Sequence, residues 1–263
     1  MMEFDHVKFE KRGSVGYITL NNPEKRNPIN MQVHLDLRQC FDVCDYDPEI
    51  RAVLISGAGG VFSAGGDLNA MKARIDAGIR GTRQVCRIGA ETNLRLRNVK
   101  KPVIARIEGV IAGAGIALAL ACDFQIIAEN TKCAFSFVNI GFVPDSGATY
   151  MVIRAIGTTR AAELFLSGRF FSGCEAADWG MFTEAVPMES LEERVAAYVE
   201  KYANGPTVTY GEIKNLLNRA QLSGYADGMQ AEIDAQGTCE LTEDYAEAVT
   251  AFLERRKPRF QGK

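Results

Sequence analysis

Three short stretches carry residue types that could do chemistry. In "FVNIGFVPDSGATY", residues 137 to 150, one carboxylate, Asp145, stands between an apolar run and a Ser-Gly-Ala step. Burying a charge is costly unless something pairs with it or uses it. The other two stretches, "AVLISGAGGVFSAGGDL" (52 to 68) and "VIARIEGVIAGAGIALALACD" (103 to 123), each read as a strand, a glycine-rich turn and a helix. Glycine turns that open helices leave backbone N–H groups without intrahelical partners. Two such turns facing one another could donate to a single developing oxyanion. The competing reading is that the glycines serve only tight turns and close packing. For Asp145 the competing reading is a helix N-cap ahead of the run "TYMVIRAIG".

Other chemistries lack their residues. "GAGIAL" from Gly113 puts Leu118 where a dinucleotide fingerprint needs Gly or Ala, and no G-x-x-x-x-G-K-[ST] phosphate loop occurs. With only His6 and His34 as histidines and no CxxC, no metal site is expected. The 7 cysteines, an odd number and widely spaced, read as reduced thiols of a cytoplasmic protein. The N-terminal residues show no apolar secretory segment. The uncharged run Val110 to Cys122 is too short to span a bilayer and reads as a buried core helix. A formal net charge of -3, with no basic stripe, argues against nucleic acid as a partner.

The elements that must position these residues follow from pattern. Residues 15 to 21, 51 to 57, 102 to 109 and 123 to 129 are short and rich in Val, Ile and aromatics, and most end in Gly or Asn, which marks strands. Residues 31 to 45 place Leu37, Cys40, Phe41 and Cys44 at helical spacing. Strands alternating with helices indicate an α/β fold with mainly parallel pairing. After "EAVP" (184 to 187) no strand is expected. Residues 191 to 203, 208 to 221 and 225 to 256 read instead as successive helices broken at "NGP" and "SGY". The division expected is a core over residues 1–203 and a helical region over 204–263.

The motifs resemble the crotonase superfamily, the enoyl-CoA hydratase and isomerase family. The likeness rests on five pieces in family order: "ITLNNPEKRNPIN", "FSAGGDL", "GVIAGAGIALALACD", "IGFVPDSGATY" and "AFLERRKPRF". It implies a spiral of ββα units with a C-terminal helical trimerisation region, assembled as a trimer or a pair of trimers. It also implies an acyl-CoA thioester substrate, with CoA entering as part of that substrate and no metal or redox cofactor.

In that family two backbone amides hold the thioester oxygen, and by position these are Ala64 and Ala114. Losing one such donor costs roughly 100-fold to 1000-fold in rate. The two hydratase glutamates fall on Ala117 and Phe137, so two-glutamate hydration is disfavoured. Asp145 occupies the acidic position of some enoyl-CoA isomerases and of the phenylacetate-pathway epoxide isomerase, where one carboxylate moves a proton from the α-carbon to the γ-carbon of a dienolate. Phe137, Phe142 and Val143 are expected to wall it off from water. Without the resemblance the cap reading is favoured; with it, catalysis is.

The same resemblance places Lys25, Arg26, Gly66, Asp67, Leu68, Gly113 and Phe137 along the substrate. Phe252 and Arg255 match positions that meet CoA from a neighbouring subunit in some relatives. Asp67 is expected to brace its loop, Asp123 to end the core helix and Asn139 to lie near the pocket. The acyl pocket is expected between Met71 to Gly89 and the approach past Tyr150 and Met151. The leading reading is an enoyl-CoA isomerase; the alternatives are a hydratase or lyase using Asp145 and water, and a CoA-binding scaffold or RNA-associated relative with little catalysis.

Overall fold

The computed structural model of the 263-residue chain describes residues 2–79, 82–220, 236–239 and 241–263. The strands are β1 (Met2–Glu3), β2 (Val7–Arg12), β3 (Val15–Leu20), β4 (Ala52–Gly57), β5 (Val103–Ile107), β6 (Val110–Ala112), β7 (Phe124–Ala128), β8 (Lys132–Ala134), β9 (Phe170–Ser172) and β10 (Glu184–Val186). Seven form one sheet in the order β1-β2-β3-β4-β5-β7-β10, and β6-β8-β9 form a second. The β1–β2 and β2–β3 pairs are antiparallel, and every later pair in the large sheet is parallel.

Parallel sheets are covered on both faces, and β4 shows why its run from Ala52 to Ile55 is apolar without alternation. Val53 and Ile55 enter one core cluster with Val33, Leu37 and Phe41 of helix α1 (Met31–Tyr46). Ala52 and Leu54 point the other way, against Leu191, Val195 and Val199 of helix α7 (Leu191–Ala203). A strand's period of two therefore serves two hydrophobic layers at once. Each fully buried aliphatic side chain contributes roughly 1.5–3 kcal/mol.

The strands expected at 15 to 21, 51 to 57, 102 to 109 and 123 to 129 are present, each trimmed at its ends. So are the helices over 31 to 45 and 191 to 203. β2 escaped pattern reading because "VKFEKR" buries only Val7 and Phe9 and leaves its charged residues facing outward. The run Val110 to Cys122 is buried but is not one helix. Gly113, at φ 48, turns strand β6 into helix α4 (Ala114–Leu120). A left-handed residue inside a helix breaks the ladder, and glycine makes that break cheap.

Helix α8 (Thr207–Ala220) is tied to the core rather than free of it: Lys214 pairs with Asp123 at 2.6 Å and donates to the Lys101 carbonyl at 2.7 Å. The expected helix over 225 to 256 falls partly outside the described residues; within them a helix spans Glu243–Leu253. Among the described residues no helix is long and apolar enough to cross a membrane. The remaining helices are α2 (Leu68–Asp76), α3 (Thr82–Arg97), α5 (Ala148–Ser167) and α6 (Gly173–Asp178).

Candidate active site

The two glycine-rich turns meet, and backbone bonds lace them together. Ser63 N–H donates to the Val110 carbonyl at 3.1 Å, and Ala112 N–H donates back to the Ser63 carbonyl at 3.0 Å. A Cβ on Gly65 would stand 2.8 Å from the Ala112 carbonyl oxygen, and one on Gly115 would stand 2.9 Å from Ser63 Cβ. Only glycine lets the turns approach this closely. Behind them, buried Asn27 donates to the carbonyls of Ala58 and Val61 at 2.9 and 2.7 Å, while Ser63 Oγ donates to the Asn27 carbonyl at 2.8 Å.

Which amides remain for a ligand is decided by what the others already bond. Ala64 N–H donates to the Arg26 carbonyl at 2.8 Å, so the expected first donor is spent. Gly65 N–H is taken by Ser63 Oγ and Asp67 N–H by the Ile29 carbonyl. Gly66 N–H, two residues past Ala64, has no partner among the described residues. In the second turn Gly113 N–H donates to Ala134 at 3.0 Å, and Ala114 N–H, at the first position of α4, is without a partner among them. Gly115 shares that lack but is buried, whereas Ala114 and Gly66 are half-buried. The donor pair open to a ligand is Gly66 and Ala114. A Cβ on Gly66 would meet only the mobile end of Met71, at 2.8 Å.

Asp145 is held by a different device. Ser146 and Gly147 are consecutive left-handed residues, at φ 54 and 86, and Ala148 N–H closes the turn onto the Asp145 carbonyl at 2.9 Å. A non-glycine residue in that conformation costs about 1–3 kcal/mol and persists only where its surroundings enforce it. The enforcement comes from α3, where Asn93 Nδ2 donates to the Ser146 carbonyl at 2.9 Å. Gly147 is the N-cap of α5 and no side chain caps the helix, so Asp145 is not its N-cap. Its Oδ2 accepts from Cys86 Sγ at 3.4 Å, and its Oδ1 is buried with no partner.

The two positions at which the resemblance expects the hydratase glutamates carry Ala117 and Phe137. Ala117 is fully buried in α4, and the Phe137 ring comes within 3.5 Å of where a Gly113 Cβ would be, lying over the turn that precedes Ala114. Phe142 and Val143 do not wall the carboxylate off: they are 40% and 76% exposed. The 3-10 turn Val138–Ile140 throws this segment outward, and Phe142 N–H folds back only to the Phe137 carbonyl.

The other expected residues separate into those near the turns and those busy elsewhere. Exposed Arg26 lines a cleft of about 530 Å³ with Val61, Ala112, Lys132 and Ser136, so two cations stand beside residues of both glycine-rich segments. Lys25, in the 3-10 turn Pro23–Lys25, and Leu68, at the start of α2, are exposed and do not line it. Asp67 caps α2 through Ala70 N–H at 3.0 Å. Asp123 accepts from Val103 N–H at 2.7 Å besides pairing with Lys214, and exposed Asn139 tethers the Gly168 carbonyl. Arg255 is exposed beyond the last helix, and the Phe252 side chain lies outside the described residues. Ser146 and Gly147 of the Asp145 turn line a mostly apolar cavity of about 550 Å³ together with Leu94, Tyr150 and Met151.

Asn27, Ser63, Cys86 and Asn93 are the residues that pattern reading missed. Their signal lies in contacts distant in sequence, apart from the short "AGG" step, which already hinted that closest approach falls at a glycine. Burial pushes the Cys86 thiol up, reinforced by the Asp145 charge, so it stays protonated and able to donate. Burial likewise raises Cys40 to about 12 and lowers His34 to about 4.

Residues 10–263 match the family model described as enoyl-CoA hydratase/isomerase. The chain belongs to that family. It is 36% identical over 270 residues to 1,2-epoxyphenylacetyl-CoA isomerase of Escherichia coli, covering 100% of both chains. It is 30% identical over 263 residues to trans-2-decenoyl-[acyl-carrier-protein] isomerase of Streptococcus mutans, again over 100% of each. Among solved structures it resembles an enoyl-CoA hydratase from a Polaromonas species, with a TM-score of 0.91, 28% identity, and 97% of this chain and 99% of that one covered. Hydratase/isomerase family members thus share this crotonase fold with relatives named for either reaction.

Proposed function

We propose that this family member is an enoyl-CoA isomerase in which Asp145 alone moves the proton. The observation that carries the reading is a carboxylate with one buried, unpartnered oxygen while both glutamate positions of the two-glutamate route hold Ala117 and Phe137. The thioester oxygen accepts from Gly66 and Ala114 N–H. Asp145 Oδ1 takes the α-proton, the electron pair spreads into a dienolate whose charge gathers on that oxygen, and the same carboxyl returns the proton at the γ-carbon. Fixed backbone donors suit this step because they are already aimed before charge develops. CoA enters as part of the substrate, with Arg26 and Lys132 of the cleft suited to its phosphates. The acyl end is assigned to the apolar cavity walled by Leu94, Tyr150 and Met151.

The test is to assay 3-enoyl-CoA for double-bond shift beside 2-enoyl-CoA for water addition. Wild-type protein is expected to do the first much faster, and Asp145→Asn to lose about 1000-fold of it. Water addition as the faster activity, abolished by the same variant, would move the reading to a hydratase. Acyl-CoA binding without turnover of either thioester would leave only a scaffold.

A further inference from the structure

The proposed proton transfer uses one oxygen of Asp145 and leaves the other to α3, where a cysteine and an asparagine on one helix face meet the strained turn. We infer that α3 sets the working geometry of Asp145, Cys86 engaging Oδ2 and Asn93 holding the Ser146 carbonyl, so that Oδ1 alone is left unpartnered to take the proton. The inference rests on Asp145 being the acid/base and adds two positioning residues to it.

The geometry is specific. Cys86 and Asn93 are seven positions apart, two turns on one face of α3, and Gly89 sits between them. A Cβ on Gly89 would stand 2.7 Å from Ser146 Oγ and 3.1 Å from His34 Nε2, so the helix lies directly on the turn. Cys86 Sγ is 3.4 Å from Oδ2 and Asn93 Nδ2 is 2.9 Å from the Ser146 carbonyl. An aspartate can otherwise rotate and exchange its two oxygens. A thiol that donates to one of them distinguishes the pair, because Oδ2 then has a partner and Oδ1 does not. Proton return to the γ-carbon needs the carboxyl aimed along the dienolate plane, and a misplaced acid/base loses rate rather than binding. The thiol is a suitable donor here because burial and the neighbouring carboxylate both keep it protonated.

The experiment measures kcat and KM for the double-bond shift in Cys86→Ala, Cys86→Val and Cys86→Ser, with Asp145→Asn alongside. Cys86→Ala and the apolar, similarly sized Cys86→Val are expected to lower kcat about tenfold, with KM within about twofold. Cys86→Ser, whose hydroxyl can donate to Oδ2, is expected to recover most of that loss. Asn93→Ala is expected to lower kcat at similar KM by releasing the turn; if it does not fold, the cysteine series decides alone. Ala and Val variants that keep wild-type kcat overturn the inference while Asp145→Asn remains inactive, and so does a folded Cys86→Ser with no recovery. Full activity in Asp145→Asn removes the underlying reading, and the role of α3 with it.

Discussion

The two halves of the site are built by different means. The amide half consists of two turns whose backbones are bonded to each other through Ser63, Val110 and Ala112, with glycines where any side chain would intrude. The carboxylate half is one side chain on a left-handed turn, held by side chains of α3. Backbone donors are hard to alter by substitution, whereas a carboxylate and its supports are exchanged residue by residue. Relatives named for isomerisation and for hydration share this fold, and on the proposed reading the residues at 117, 137 and 145 are where this chain's chemistry is set.

The contrast can be broken most sharply at Ala114. Proline is tolerated at the first helical position, and Gly113 before it, at φ 48 and ψ -116, is glycine and free of the Cβ clash that restricts a residue preceding proline. Ala114→Pro therefore removes one donor with little cost to the helix. It is expected to reduce kcat by roughly 100-fold to 1000-fold with an unchanged unfolding midpoint; a wild-type rate would move the oxyanion site elsewhere.

Next comes pH. His34 lies under Gly89 on the carboxylate side, buried and with Nδ1 unpartnered, and its burial lowers it from 6.5 to about 4. The unfolded chain protonates below 6.5 while the folded one resists, so His34 contributes its full share above 6.5. That share is lost as pH falls toward 4, at about 1.4 kcal/mol per pH unit and roughly 3 kcal/mol in all. Urea titrations from pH 7 to 4 should show this slope, and His34→Gln should flatten it; an unchanged slope would assign the loss to carboxylates instead.

The smallest expected effect is Gly65→Ala on the amide side. At φ 91, with the Ala112 carbonyl 2.8 Å from the new Cβ, it should lower unfolding free energy by about 2 kcal/mol at every pH, whereas the His34 effect appears only in acid. A pH-dependent loss in Gly65→Ala would show that the halves are not independent.

Much of the frame was legible because periodicity reports burial. β4 is apolar and buried from Ala52 to Ile55 since both its faces are covered there, and Leu37, Cys40, Phe41 and Cys44 recur at the spacing of one helix face. Val110 to Cys122 was misread because uniform hydrophobicity carries no period, so a strand, a turn and a helix look alike until Gly113 breaks them. Asp145 was legible by type, and so was the absence of acids at Ala117 and Phe137.

Residue types by themselves determined the two glycine turns, the solitary carboxylate and the apolar residues in place of glutamates. Only the tertiary structure decided that Gly66 rather than Ala64 offers its amide, that Asp145 is no cap, and that Cys86 and Asn93 stand beside its turn. The reason is physical: every residue but proline carries the same N–H, so its availability depends on which carbonyl the fold brings to it. Here the Arg26 carbonyl takes Ala64 and leaves Gly66 open.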